Sequence, residues 1–137
     1  MVIDTSAILA ILLDEPDAES FELAIEADPL RLLSAGSFFE AAIVVESRFG
    51  PPGGRELDLM VYKAGLEIVA FDAAQVELAR HAFRTYGKGR HQAGLNFGDC
   101  FAYALSKASG EPLLFKGNDF IRTDIRPALP PPPMTNE

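Results

Sequence analysis

The chain has a single cysteine, Cys100, which excludes an internal disulfide framework and any multi-cysteine zinc site. Long hydrophobic runs are missing too. The longest unbroken apolar stretch, Ala7 to Leu13, falls far short of the roughly 20 residues that cross a bilayer. No basic residue precedes Arg31, so the positively charged start of a secretory signal is absent, and a cytoplasmic protein without membrane contact is expected. Positive charge is scarce overall: 12 Lys and Arg stand against 20 Asp and Glu, a net charge of −8 that repels nucleic acid at long range. There is no internal repeat, and 137 residues suffice for one domain but not two. With 48% hydrophobic and 23% charged residues, the composition is that of a globular fold.

The scarcity of positive charge is uneven. Between Glu77 and Asp99 there is no acid, while Arg80, His81, Arg84, Lys88, Arg90 and His91 all lie there. Taken alone, that segment reads as a solvated helix face followed by a loop; on an acidic protein it is also a local basic patch.

Met1-Val2-Ile3, stopping at Asp4, has the pattern of a buried parallel strand. Further strands are expected at Leu30 to Ala35, Glu67 to Phe71 and Leu113 to Phe115, with a short edge strand at Thr123 to Ile125. Helical patterns fall between them, at Ser6 to Leu13, Asp17 to Ala27, Ser37 to Phe49, Arg55 to Ala64, Asp72 to Tyr86 and Asn96 to Ser109. Gly87, Gly89 and Gly94 make a loop of the stretch before Asn96. Alternating strands and helices predict an α/β fold of three layers, α/β/α, around a mainly parallel sheet of four to five strands. Residues 1–126 would form the domain, and 127–137, with Pro130 to Pro133, an extended C-terminal tail.

In open α/β sheets the functional crevice lies beyond the carboxyl ends of the strands. Asp4 ends the first strand, Glu40 follows the second, Asp99 opens the helix before the fourth, and Asp119 follows the fourth. Each has a local explanation as well. Ser37 and Glu40 match a capping box, Asp99 suits a helix dipole, and Asp119 suits a turn after Gly117-Asn118. Asp4, between two apolar runs, resists such an explanation, because a buried carboxylate needs a cation or a hydrogen-bond network. Four converging carboxylates with no histidine partner suit Mg²⁺ or Mn²⁺, ions that support phosphodiester hydrolysis.

Val2-Ile3-Asp4-Thr5-Ser6-Ala7, Glu40 in its helix, Leu95-Asn96-Phe97-Gly98-Asp99-Cys100 and Leu113-Leu114-Phe115-Lys116-Gly117-Asn118-Asp119-Phe120 together resemble the PIN-domain ribonucleases, and more closely the VapC toxins of type II toxin–antitoxin systems. The resemblance runs from Met1 to about Ile125. It implies a PIN-like sheet between helices, a Mg²⁺- or Mn²⁺-dependent endoribonuclease, a homodimer, and inhibition by a cognate VapB-type antitoxin that inserts a basic side chain among the acids. Carried over by position, Asp4, Asp99 and Glu40 would hold metal, Thr5 and Ser6 would support them, and Asp119 would be the fourth catalytic acid. The pattern departs at Gly117, where many relatives carry an acid. Within the resemblance, Lys88, Arg90, Arg80 and Arg84 become a track for RNA phosphates.

Two other functions compete. Aspartyl-phosphate chemistry would need a second acid two residues after Asp4, or an adjacent acidic pair after the first strand, and neither is present. The alternative to an enzyme is a catalytically inactive PIN-like binding module, which the Gly117 departure favours. Cys100 reads as core packing and is assigned no chemistry. Phe38, Phe39, Ile43 and Val44 are expected to face a second copy or an antitoxin.

Overall fold

The computed structural model describes residues 1–130. In chain order the elements are β1 (Val2–Ile3), α1 (Thr5–Leu12), α2 (Ala18–Ala27), β2 (Leu32–Ser34), α3 (Ala35–Phe49), α4 (Pro51–Ala64), β3 (Glu67–Val69), α5 (Ala73–Tyr86), α6 (Phe97–Ser109) and β4 (Leu113–Leu114). The four strands form one parallel sheet in the order β3-β2-β1-β4. The chain steps outward from β1 to β3, then returns to place β4 on the other side of β1. The crevice between β1 and β4 is therefore the point where strand order reverses.

Side-chain alternation along the strands divides the core in two. Val2, Leu32 and Leu113 pack with Tyr103, Leu105 and Ala82 from α5 and α6. Ile3, Leu33 and Leu114 face the opposite way, onto Ile8, Phe21, Val45 and Leu57 from α1 to α4. These strand residues are almost wholly buried, and each contributes about 1.5–3 kcal/mol of transfer free energy. The sheet is thus covered on both faces, as a parallel sheet must be.

Three expected boundaries are corrected. Thr123 to Ile125 is not a strand: the turn around it is held by the Thr123 hydroxyl, which donates to Phe120 O and accepts from the Ile125 N–H, and the sheet has four strands among the described residues. Beside β4, residues 126–128 instead make two backbone bonds, Leu113 N–H to Arg126 O (2.9 Å) and Ala128 N–H to Leu113 O (2.8 Å). Second, α3 begins at Ala35, capped by the Ser34 hydroxyl, which accepts from Gly36 N–H. Ser37 is then inside the helix and fully buried, so the expected Ser37–Glu40 capping box does not form. Third, α4 starts at Pro51 rather than Arg55, because prolines are tolerated in a first helical turn. Of the expected tail, 131–137 lie outside the described residues, while Leu129 packs against the core beneath α1 to α4.

Gly53 shows why that helix opens with glycines. A Cβ there would sit 2.4 Å from the Val45 carbonyl oxygen of α3, whereas at Gly54 it would meet only the flexible Glu46 side chain, at 3.0 Å. Gly53→Ala is expected to destabilise the protein by about 1–3 kcal/mol in urea unfolding. Gly54→Ala should cost less than about 0.5 kcal/mol, since helix propensity offsets the contact.

Candidate active site

Asp4 is placed by three constraints. Its N–H donates to Leu114 O (2.9 Å), which fixes it at the end of β1 beside β4. Its carboxylate caps α1, with Oδ2 accepting from Ser6 N–H (3.1 Å) and the Ser6 hydroxyl (2.6 Å). Ser6 Oγ in turn accepts from Lys116 N–H (2.9 Å), so one hydroxyl ties Asp4 to the segment after β4. Thr5 Oγ1 donates to Ser37 O (3.2 Å) and anchors α1 on α3. The other carboxylate oxygen, Asp4 Oδ1, is buried with no hydrogen-bond partner.

Asp99 forms the capping box that was expected at Ser37. Asn96 Oδ1 accepts from Asp99 N–H (2.9 Å) and Asp99 Oδ2 accepts from Asn96 N–H (3.0 Å). Glu40 reaches the same place through a gap in α6. A Cβ at Gly98 would lie 1.8 Å from Glu40 Oε2, so only glycine lets the Glu40 carboxylate rest on the start of that helix. Asp119 stands exposed in the turn after β4, within hydrogen-bonding reach of Asp99. Gly117, where an acid was missed, has φ +96°, a backbone conformation that an acidic side chain would strain.

The four acids come together from four separate parts of the chain, and their protons register it. Burial pushes Asp4 up to about 6, against the Ser6 hydrogen bonds that favour its charge and with the Glu40 charge adding to the rise. Burial also raises Asp99, to about 7, opposed by the Asn96 N–H and reinforced by Asp4 and Asp119. An unpaired buried oxygen among crowded carboxylates fits a hard divalent cation, for which an all-oxygen donor set is suited. Among the described residues, no three Asp, Glu, His or Cys side chains are already gathered around a single point for a metal ion.

The basic residues lie to one side. Lys88, Arg84 and Arg90 are exposed, Arg90 stacks over the Phe83 ring at 5.7 Å, and Arg80 pairs with Glu77 (3.0 Å). The loop carrying Lys88 and Arg90 is closed at its base by Lys88 N–H to Leu95 O and Leu95 N–H to Tyr86 O, both 2.9 Å. Lys116 turns away from the acids and pairs with Glu15 and Asp17. Of the expected partner face, Phe39 and Ile43 are exposed, whereas Phe38 packs on the core. Sequence reasoning quoted Asn96 and Gly98 within the motif around Asp99 but gave neither a role. The Asn-x-x-Asp spacing before an apolar helix could have revealed the first as a cap; the second acts on a residue far away in the chain.

The PIN domain family profile matches residues 1–126. Ribonuclease VapC30 of Mycobacterium tuberculosis is 64% identical over 125 residues, covering 91% of this chain and 95% of that protein. Ribonuclease VapC of Mycolicibacterium smegmatis is 63% identical, covering 91% and 97%. Among solved structures, VapC20 of M. tuberculosis, described as a sarcin–ricin-loop-cleaving toxin, superposes with a TM-score of 0.73 at 13% identity, over 90% of this chain and 95% of that one. The fold is that of a PIN domain. The chain belongs to the PIN-domain family, in its VapC branch.

Crowding of the acids sets a stability prediction. Raised carboxyl values mean that the folded, metal-free protein holds protons that the unfolded chain releases between about pH 4 and pH 7. Stability therefore falls as pH rises through that window. In EDTA the melting temperature is expected to be at least about 5 °C lower at pH 8 than at pH 5 once Asp4→Asn, which removes the buried charge, is subtracted as reference. A pH dependence identical in the two proteins would show that Asp4 is not strained.

Proposed function

We propose that this chain is the toxin of a type II toxin–antitoxin pair and acts as a Mg²⁺- or Mn²⁺-dependent endoribonuclease, with residues 1–126 as its catalytic domain. The observation that carries the proposal is the buried, unpaired Asp4 Oδ1 in the crevice where Glu40, Asp99 and Asp119 meet it. The curated relatives named ribonuclease support the reaction class.

Asp4, Asp99 and Glu40 would hold the metal, and Asp119 at the open edge would orient the attacking water. A bound divalent ion would supply charge neutralisation toward the phosphate and lower the pKa of a water. The protein's own part is positional. Ser6 fixes Asp4 Oδ2 so that Oδ1 is left for a ligand, Asn96 holds Asp99, and Gly98 admits Glu40. Lys88 and Arg90, with Arg80 and Arg84 beyond them, would hold the RNA backbone without reading its sequence. A VapB-type antitoxin would be the partner, and the exposed Phe39 and Ile43 on α3 offer apolar surface for it or for a second copy. No helix among the described residues is long and apolar enough to span a membrane.

Three variants test the proposal. RNA cleavage by EDTA-stripped protein should return with Mg²⁺ or Mn²⁺ and be lost in Asp99→Asn; silence together with absent metal binding in calorimetry would leave a binding module instead. Gly98→Ala should keep the fold by circular dichroism yet lower cleavage at least about tenfold by displacing Glu40, about 1.4 kcal/mol in transition-state stabilisation. Lys88→Ala with Arg90→Ala should weaken RNA binding and reduce the slope of log affinity against log salt by about 1. An unchanged slope would remove both from the RNA track.

A further inference from the structure

Lys116 stands two residues beyond β4 and is held twice. Its N–H donates to Ser6 Oγ (2.9 Å), the same hydroxyl that fixes Asp4 Oδ2. Its ammonium reaches the turn between α1 and α2, where Nζ donates to Glu15 Oε2 and lies 3.3 Å from Asp17 Oδ1. Asp17 has given up an easier role for this. It occupies the N-cap of α2, where a carboxylate ordinarily accepts from the helix's own N–H groups, yet it makes no such bond. Its Oδ1 is buried instead, with Lys116 as the cation beside it.

The turn that presents the two acids is tightly defined. Glu15 N–H donates to Ala10 O (2.9 Å) and Asp14 N–H to Ile11 O (3.2 Å), the paired bonds of a Schellman ending. Such an ending needs a left-handed residue, usually glycine, and Asp14 takes that conformation at φ +51°. Among the described residues no other non-glycine residue has a positive φ. The chain reverses there, so a side chain anchored at Ser6 meets Glu15 and Asp17. On its other side Lys116 is followed by Gly117, at φ +96°, with nothing within 4 Å of where a Cβ would stand. The backbone leading to Asp119 therefore has no packing of its own at that point, and what holds it is the residue before.

We propose that Lys116 is a positioning residue for the acidic crevice: its ion pair with Glu15 and Asp17 straps segment 116–119 to α1, and so sets Ser6 against Asp4 and Asp119 at the open edge. This rests on the metal-dependent ribonuclease reading above and adds to it a residue outside the acids. All three partners of the strap are partly exposed. Such a pair contributes little to global stability, so what it governs is local placement. Through the Ser6 hydroxyl that placement is passed to the Asp4 carboxylate, whose other oxygen is the one left for a ligand.

The test is Mn²⁺ titration calorimetry on the full chain, with RNA cleavage followed in parallel. Lys116→Met should weaken Mn²⁺ binding about two- to fivefold, the range of a partly exposed ion pair, while Lys116→Arg retains the affinity. Glu15→Gln combined with Asp17→Asn, which leaves the crevice untouched, should reproduce the loss. In a Ser6→Ala background Lys116→Met should have no further effect, because the link to Asp4 is already cut. A through-space effect of charge has the opposite sign, since losing a cation near the site favours Mn²⁺. Tighter binding by Lys116→Met, a loss that the Glu15 and Asp17 variant does not share, or additive losses with Ser6→Ala each overturn the strap. If the unsubstituted protein binds Mn²⁺ and cleaves RNA while Lys116→Met matches its affinity, the strap alone fails. If the unsubstituted protein neither binds Mn²⁺ nor cleaves, the ribonuclease reading fails and takes the strap with it.

Discussion

A carboxylate buried at the end of a two-residue strand is the constraint around which this protein is organised. Asp4 is 3% exposed, and one of its two oxygens has no partner. Leaving a buried acceptor unsatisfied costs about 1–3 kcal/mol, a large share of a small domain's net stability. The cost is tolerated because its surroundings over-determine the position. Strand β1 is pinned between β2 and β4, Ser6 holds the other oxygen, and the same hydroxyl secures the segment after β4. A side chain so placed cannot relax toward solvent, so it holds its unpaired oxygen toward the crevice.

The rest of the crevice is assembled by close approach between α3 and α6. Two glycines permit it: Gly36 admits the Phe101 ring and Gly98 admits the Glu40 carboxylate. These are reciprocal, each helix giving up a side chain where the other inserts one. Through the first contact the edge-to-face aromatic row of Phe97 and Phe101 is fixed; through the second, Glu40 is set beside the Asn96–Asp99 cap. Acidic crevice and aromatic row are thus consequences of a single helix-helix contact, which is why they lie side by side.

How much of this could be read from the sequence follows from the range of the interactions. Short apolar runs and their breakers are local, so β1 to β4 and the six helices were legible from residues such as Val2-Ile3 and Leu113-Leu114. Asp4 stood out because its apolar flanks leave no solvent-facing position. The starts of α3 and α4 were misplaced because each is settled by contacts outside its own segment. Ser34 takes the cap only because β2 delivers it there, and Pro51 to Gly54 become helical because α3 offers Val45 as a close neighbour. The expected strand at Thr123 to Ile125 failed likewise, since the backbone beside β4 is taken by residues 126–128. Gly98, quoted in the motif around Asp99, was given no role for the same reason: its partner, Glu40, is 58 positions away.

Charge presents the remaining physical problem, because a protein of net charge −8 must hold a polyanion. Net charge governs approach from a distance, but at physiological salt the field is screened beyond about 8 Å, so local arrangement decides what happens on contact. Here the signs are separated rather than mixed. The acids are drawn into the crevice, where burial and mutual repulsion raise the proton affinity of Asp4 and Asp99. Lys88, Arg90 and Arg84 stand outside on a segment free of acids, and the Arg90 guanidinium lies over the Phe83 ring. A metal-loaded crevice would remove the repulsion at the one point where phosphate must come closest. On the proposed reading, loading the metal and admitting the strand would therefore be coupled electrostatically, even if the two ligands never touch the same atom of the protein.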